Sequence, residues 1–143
     1  MDNEKTVLSF LEGMHQPISQ VPAHLKAYFT EDAVWGNCGF PPAVGIDDIM
    51  AKHEASMTVF GEYILDVTIH NVASKGDVVF TERTDVGRQL DGTEIMTVPV
   101  TGVFELRDGK ICRWVDYFDP AELLAAISVL PDVAAFFAGK SDS

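Results

Sequence analysis

Thr101-Gly102-Val103-Phe104-Glu105-Leu106-Arg107-Asp108-Gly109-Lys110-Ile111-Cys112-Arg113-Trp114-Val115-Asp116 reads as two alternating strands around an Asp-Gly turn. Asp-Gly tolerates the positive φ angles of a tight two-residue hairpin, so the chain is expected to double back there. Working outward, the period of two persists. Tyr63 to Val72, Asp77 to Arg88, Glu94 to Leu106 and Lys110 to Phe118 are the expected strands, separated by Lys75-Gly76, Asp91-Gly92 and Asp108-Gly109. Together they form an antiparallel meander. Pro99, which has no amide hydrogen to give a ladder, is expected at an edge position or a bulge.

Upstream the period becomes helical. Val7, Leu8, Leu11 and Met14 recur on one face after a cap at Asp2 or Asn3. Pro22 to Phe29 forms a second helix that buries Leu25, Tyr28 and Phe29, and Ala33 to Cys38 is a short extended piece before the breakers Gly39-Phe40-Pro41-Pro42. Ile46 to Met57 is a third helix, with Asp47 and Asp48 placed favourably against its N-terminal dipole. Asp119-Pro120-Ala121-Glu122 opens a C-terminal helix with an N-cap acid and a Pro at the first helical position. This order specifies an α+β fold in one domain over 1–143, with helices covering one face of a curved, mostly antiparallel sheet. Bent strongly, such a sheet becomes a cone around a deep apolar pocket. Met96, Val98, Val100 and Phe104 of the third long strand would line it.

Composition narrows the partners. The chain is 47% hydrophobic and 22% charged, which makes it globular. Its 10 basic and 22 acidic residues leave a net charge of −12, which argues against nucleic acid and repels anionic membranes. A neutral or cationic small molecule suits it better. No apolar run approaches the ~20 residues needed to span a bilayer. The N-terminus lacks the basic and apolar regions of a signal peptide, so the reading is cytoplasmic, with reduced thiols. Cys38 and Cys112 read as small core residues. His15, His24, His53 and His70 lack metal-binding spacing, and no nucleotide-binding glycine motif is present, so neither metal nor cofactor is expected.

The charges on the meander need an explanation. Alternate strand residues share a face. Asp116 therefore sits with Cys112, Trp114 and Phe118, and Arg83 sits with Asp85, while Glu82 and Tyr117 point the other way. Carboxylates and a guanidinium facing an apolar interior are costly unless they pair. A buried structural ion pair would satisfy that demand. So would an active site, because two carboxylates around one Arg cannot both ionise freely, leaving one as acid and one as base. Trp35 and Asn37 share a face of the short first strand. Asn37, beside Gly36 and Gly39, either satisfies a turn or holds a water; Trp35 is either core or a ligand contact.

Glu82-Arg83-Thr84-Asp85-Val86, Gly102-Val103-Phe104-Glu105-Leu106, Gly109-Lys110-Ile111 and Trp114-Val115-Asp116-Tyr117-Phe118-Asp119 resemble the limonene-1,2-epoxide hydrolases of the NTF2-like/SnoaL-like superfamily. The resemblance extends upstream through Tyr28-Phe29-Thr30-Glu31-Asp32-Ala33 and Asn37 to Pro41-Pro42. It implies an NTF2-like cone and one-step opening of an epoxide by water, without metal, cofactor or covalent intermediate. It also implies that Asp116 is the general base, Asp85 the general acid, Arg83 the bridge between them and Asn37 a holder of the water. Trp35, Met96, Val98, Val100 and Phe118 are the substrate contacts in this reading, and a homodimer is the family habit. The family usually has Tyr where this chain has Trp35, and indole donates a hydrogen bond but accepts none. Gly87 stands where the family tends to carry a larger apolar residue, which implies a roomier pocket. Two other readings stay open. One is a ketosteroid-isomerase-like proton shuttle, which needs a carboxylate near Asn37; the other is a non-catalytic binder of apolar ligands.

Overall fold

The computed structural model describes residues 2–121 together with Leu124. Three helices, α1 (Asn3–Gly13), α2 (Val21–Tyr28) and α3 (Ile46–Phe60), pack on a six-stranded sheet. The strands are β1 (Phe29–Asn37), β2 (Ala43–Val44), β3 (Ile64–Lys75), β4 (Val78–Arg88), β5 (Glu94–Arg107) and β6 (Lys110–Tyr117). Their order is β2-β1-β6-β5-β4-β3. Every neighbouring pair is antiparallel except β1 with β6.

The expected meander is β3 to β6. Asp108 and Gly109 have φ of 53° and 78°, as a two-residue turn of this hand requires. The register slips once in each of the β1–β6, β3–β4, β4–β5 and β5–β6 pairs. Such irregularities bend a strand and increase its twist, which accounts for the curvature of the open sheet. Pro99 lies on a central strand, yet β6 pairs with β5 only from Thr101 onward. Among the described strands Pro99 is therefore paired on the β4 side alone, where Thr84 is its partner. Locally it occupies an edge.

The helices depart from expectation in detail. Asp2 caps α1, its carboxylate accepting from the N–H groups of Glu4 and Lys5. The buried face of α1 is Val7, Phe10, Leu11 and Met14, with Phe10 in the place given to Leu8. Phe10 is the hub of the core, with its ring against Phe29, Phe104 and Trp114 at 5.2–6.3 Å. Helix α2 starts one residue early, at Val21, which is fully buried. Helix α3 runs on to Phe60, where Gly61 adopts a φ of 72° and closes it with a bond from its N–H to Met57 O. The first strand begins at Phe29 instead of Ala33. The Asp119 carboxylate accepts from the Ala121 N–H, and the remainder of the expected C-terminal helix lies outside the described residues.

Two readings need correction. Between Glu105↔Arg113 and Leu106↔Ile111 the register leaves Cys112 unpaired. This bulge takes Cys112 out of the alternation that would have put it beside Asp116, and Ile111 joins Trp114 in the core instead. Cys112 and Cys38 are both half-buried, not core. Phe104 belongs to the core behind the pocket, stacked on Trp114, and does not line the cavity.

Candidate active site

The helices and the concave face of the sheet enclose a cavity of about 290 Å³. Trp35, Asn37, Asp85, Met96, Val98, Val100, Asp116 and Phe118 all line it. Most of the wall is apolar; the carboxylates of Asp85 and Asp116 are its charged exceptions on the sheet side. Arg83 lies behind them with a side chain of no solvent exposure.

Strand pairing explains how these groups meet. Asp85 and Arg83 stand on β4, opposite Val98 and Val100 of β5. Asp116 stands on β6, opposite Gly102 of β5. Strands two apart in a sheet are separated by about 9–10 Å, so an ion pair from β4 to β6 must cross β5. It crosses at Gly102. A Cβ added there would meet the Arg83 guanidinium directly, and would lie 2.7 Å from Asp116 Oδ1 and 3.1 Å from Thr81 Oγ1. The missing side chain is the space through which Arg83 reaches.

Arg83 is fully committed. Its Nε and Nη2 donate to the two oxygens of Asp85 at 2.9 and 3.1 Å, Nη2 also donates to Asp116 Oδ2 at 2.5 Å, and Nη1 donates to Thr81 Oγ1 at 3.2 Å. The guanidinium also lies over the Trp114 ring, 5.9 Å from its centroid. The other oxygen of Asp116 accepts from Trp114 Nε1 at 2.7 Å. Burial works against the Arg83 charge, but the two carboxylates outweigh it and hold its pKa above the ordinary value. Burial pushes the Asp116 carboxyl up, and Arg83 offsets only part of that rise. Asp116 therefore has an unusually high proton affinity for a carboxylate. The three groups form one hydrogen-bonded, charge-coupled unit.

Asn37 pairs with Asp116 in the parallel β1–β6 ladder, and Trp35 with Trp114. The indoles of that second pair stack at 5.6 Å. Trp35 is thus both packed and cavity-lining, and its buried Nε1 has no hydrogen-bond partner among the described residues. The isomerase reading lacked a carboxylate near Asn37; the ladder supplies one in Asp116. Glu82 faces outward and accepts from Asn71, and Tyr117 is exposed, both as parity predicts. Gly102, Thr81, the Trp114 N–H and the part of the wall contributed by α3 are not legible in the sequence. Gly102 had been quoted, but only the cross-strand register reveals what its small size does. Among the described residues, no three His, Cys, Asp or Glu side chains cluster as a metal site, and no helix is long and apolar enough to cross a membrane.

Residues 1–128 match the family described as the limonene-1,2-epoxide hydrolase catalytic domain. The epoxide hydrolase EphG of Mycobacterium tuberculosis is 32% identical over 105 residues, which cover 72% of this chain and 66% of that protein, just under two thirds of its length. A solved structure of an M. tuberculosis LEH-like epoxide hydrolase superposes with a TM-score of 0.67 at 28% identity, covering 88% of this chain and 89% of the other. A Jannaschia sp. CCS1 protein assigned as a SnoaL-like polyketide cyclase gives 0.69 at 25% identity, covering 90% and 93%.

Proposed function

This chain belongs to the limonene-1,2-epoxide hydrolase family, and from that membership we propose that it adds water to an apolar epoxide in one step to give a vicinal diol. The observation that carries the mechanism is the Asp85–Arg83–Asp116 chain at the wall of an apolar cavity. Ionised Asp116 takes a proton from a water held beside Asn37. The water oxygen bonds to one epoxide carbon as that carbon's bond to the ring oxygen breaks. The electron pair goes to the ring oxygen, which takes the proton of Asp85. Arg83 keeps its charge throughout and holds both carboxylates in place. The high proton affinity of Asp116 makes it a stronger base toward water, and the developing alkoxide is quenched as it forms. Positioned acid and base groups contribute about 10²–10⁴-fold each. Met96, Val98, Val100 and Phe118 supply the apolar contacts for the substrate in this reading.

A single turnover in ¹⁸O-water tests the step itself. Direct attack by water places the label in the diol formed in that turnover and leaves the protein unlabelled. Transfer of an unlabelled carboxylate oxygen would overturn the proposal in favour of a covalent aspartyl route. A double-bond shift in an unsaturated ketone, without diol, would instead identify the isomerase. Saturable quenching of tryptophan fluorescence with no product at all would identify a binder.

Trp35 sets a second test. Its buried, unpartnered N–H can only donate, whereas a phenol both donates and accepts. If water placement limits turnover, Trp35→Tyr is expected to raise kcat several-fold. A fall would mean that the indole serves this protein's own substrate and that Tyr is the wrong template for this position.

A further inference from the structure

One buried polar atom plays no part in this chemistry. Ile49, His53 and Ser56 follow one another along the face of α3 that lines the cavity. His53 is 6% exposed, and its Nε2 has no hydrogen-bond partner among the described residues. The backbone of Ile18 hydrogen-bonds the other ring nitrogen in the sense that favours a proton there. Burial lowers the pKa of the ring, so it is neutral and Nε2 carries a lone pair. A buried acceptor left unpaired is costly, and such groups in folded proteins normally find a partner.

The neighbouring hydroxyls are already engaged. Ser56 Oγ donates to His53 O at 2.8 Å and also hydrogen-bonds Tyr63. The place of His53 in the cavity follows from the backbone. Ile18, which holds its ring, donates through its own N–H to Tyr63 O at 2.9 Å. Tyr63 stands four residues before Val67, the β3 partner of Asp85. At about 3.3 Å per residue this separates the two ends by about 13 Å. His53 marks the end of the cavity away from the carboxylates.

We infer that His53 is a specificity-determining residue whose Nε2 accepts a hydrogen bond from an alcohol at the far end of the substrate. The preferred substrates are then apolar epoxides with a remote hydroxyl. The inference takes its reaction from the epoxide-hydrolase reading, but its recognition element can be measured without turnover.

The probes are 4-(ω-hydroxyalkyl)cyclohexene oxides with chains of two to five carbons, each beside the 4-alkyl isostere in which CH₃ replaces OH. The intact protein is expected to favour the best-fitting alcohol over its isostere by roughly ten- to a hundred-fold in kcat/KM, mainly through KM. His53→Leu should bring that ratio close to one, and His53→Gln, whose amide oxygen also accepts, should restore part of it. Kd values for the parent alkenes, read by tryptophan quenching, should show the same preference. A ratio near one in the unaltered protein, in turnover or in alkene binding, would mean that no substrate alcohol reaches Nε2 and would overturn the inference. If no epoxide is hydrolysed, the proposed reaction fails while the alkene Kd ratios still decide the role of His53.

Discussion

Asp116→Asn is expected to abolish measurable diol formation, a loss of several orders of magnitude in kcat, with stability much less affected. The amide keeps the shape and its oxygen can still accept from Arg83, which retains its two-point contact with Asp85. Its NH2 then faces the Trp114 N–H, from which the second carboxylate oxygen accepted. What disappears is the base. The pH dependence of that stability follows from the raised pKa. In the unfolded chain Asp116 titrates near its ordinary 3.8, and in the folded chain it titrates higher because it is buried. Below 3.8 both states hold the proton and the group contributes no penalty. As the pH rises from there through the folded value, the unfolded state releases its proton first, and the parent protein loses stability that the Asn variant keeps. The Tm of Asp116→Asn relative to the parent should therefore rise with pH and level off above the folded pKa. Asp85→Asn should lower kcat comparably by removing the acid. Near-parental diol formation by either variant in a stopped assay would remove these carboxylates from the mechanism.

Gly102→Ala is expected to be almost as damaging, although Gly102 is chemically inert. The backbone there has no positive φ, so alanine is conformationally acceptable. The damage comes from position: the new methyl would stand against Arg83 and 2.7 Å from Asp116 Oδ1. Either the guanidinium or the carboxylate must move, and misplacement of about 1 Å can cost 10²-fold in rate. The expected result is a 10²-fold or greater fall in kcat together with a lower Tm, since a buried ion pair that loses its geometry is left partly uncompensated. Gly87→Ala is the control. A Cβ at Gly87 would meet nothing within 4 Å and enter only the open cavity, so that variant should keep the parent's Tm and the Arg83 ion pair. Equal behaviour of the two variants would show that β5 is not the crossing point.

The meander was legible because Asp108-Gly109 and Asp91-Gly92 fix where the chain reverses and alternation fixes which side faces inward. The same parity placed Arg83, Asp85 and Asp116 together, since short hairpins leave little freedom in register. Features set by distant partners were not legible. Nothing local in Phe29 to Asn37 states that the strand lies parallel to β6, so the contact between Asn37 and Asp116 could not be read from spacing. Cys112 alternates correctly in sequence, and only its pairing with β5 reveals the bulge. His53 looked like one of four scattered histidines; its unpartnered nitrogen is a property of what surrounds it. Gly102 was visible as a residue but not as a gap, because a gap exists only between neighbours.

The parallel β1–β6 ladder also carries a consequence for how the site comes into being. Strands β3 to β6 join by short turns and can pair as hairpins within microseconds of collapse. Trp35 meets Trp114 only after closing a loop of roughly eighty residues, whose entropy must be met before any contact rewards it. During synthesis β1 leaves the ribosome long before its partner exists. Arg83 and Asp85 belong to the fast hairpins, while Asn37 joins Asp116 through a long-range closure. Competence for the chemistry is therefore a late event in folding, reached after most of the sheet is already in place.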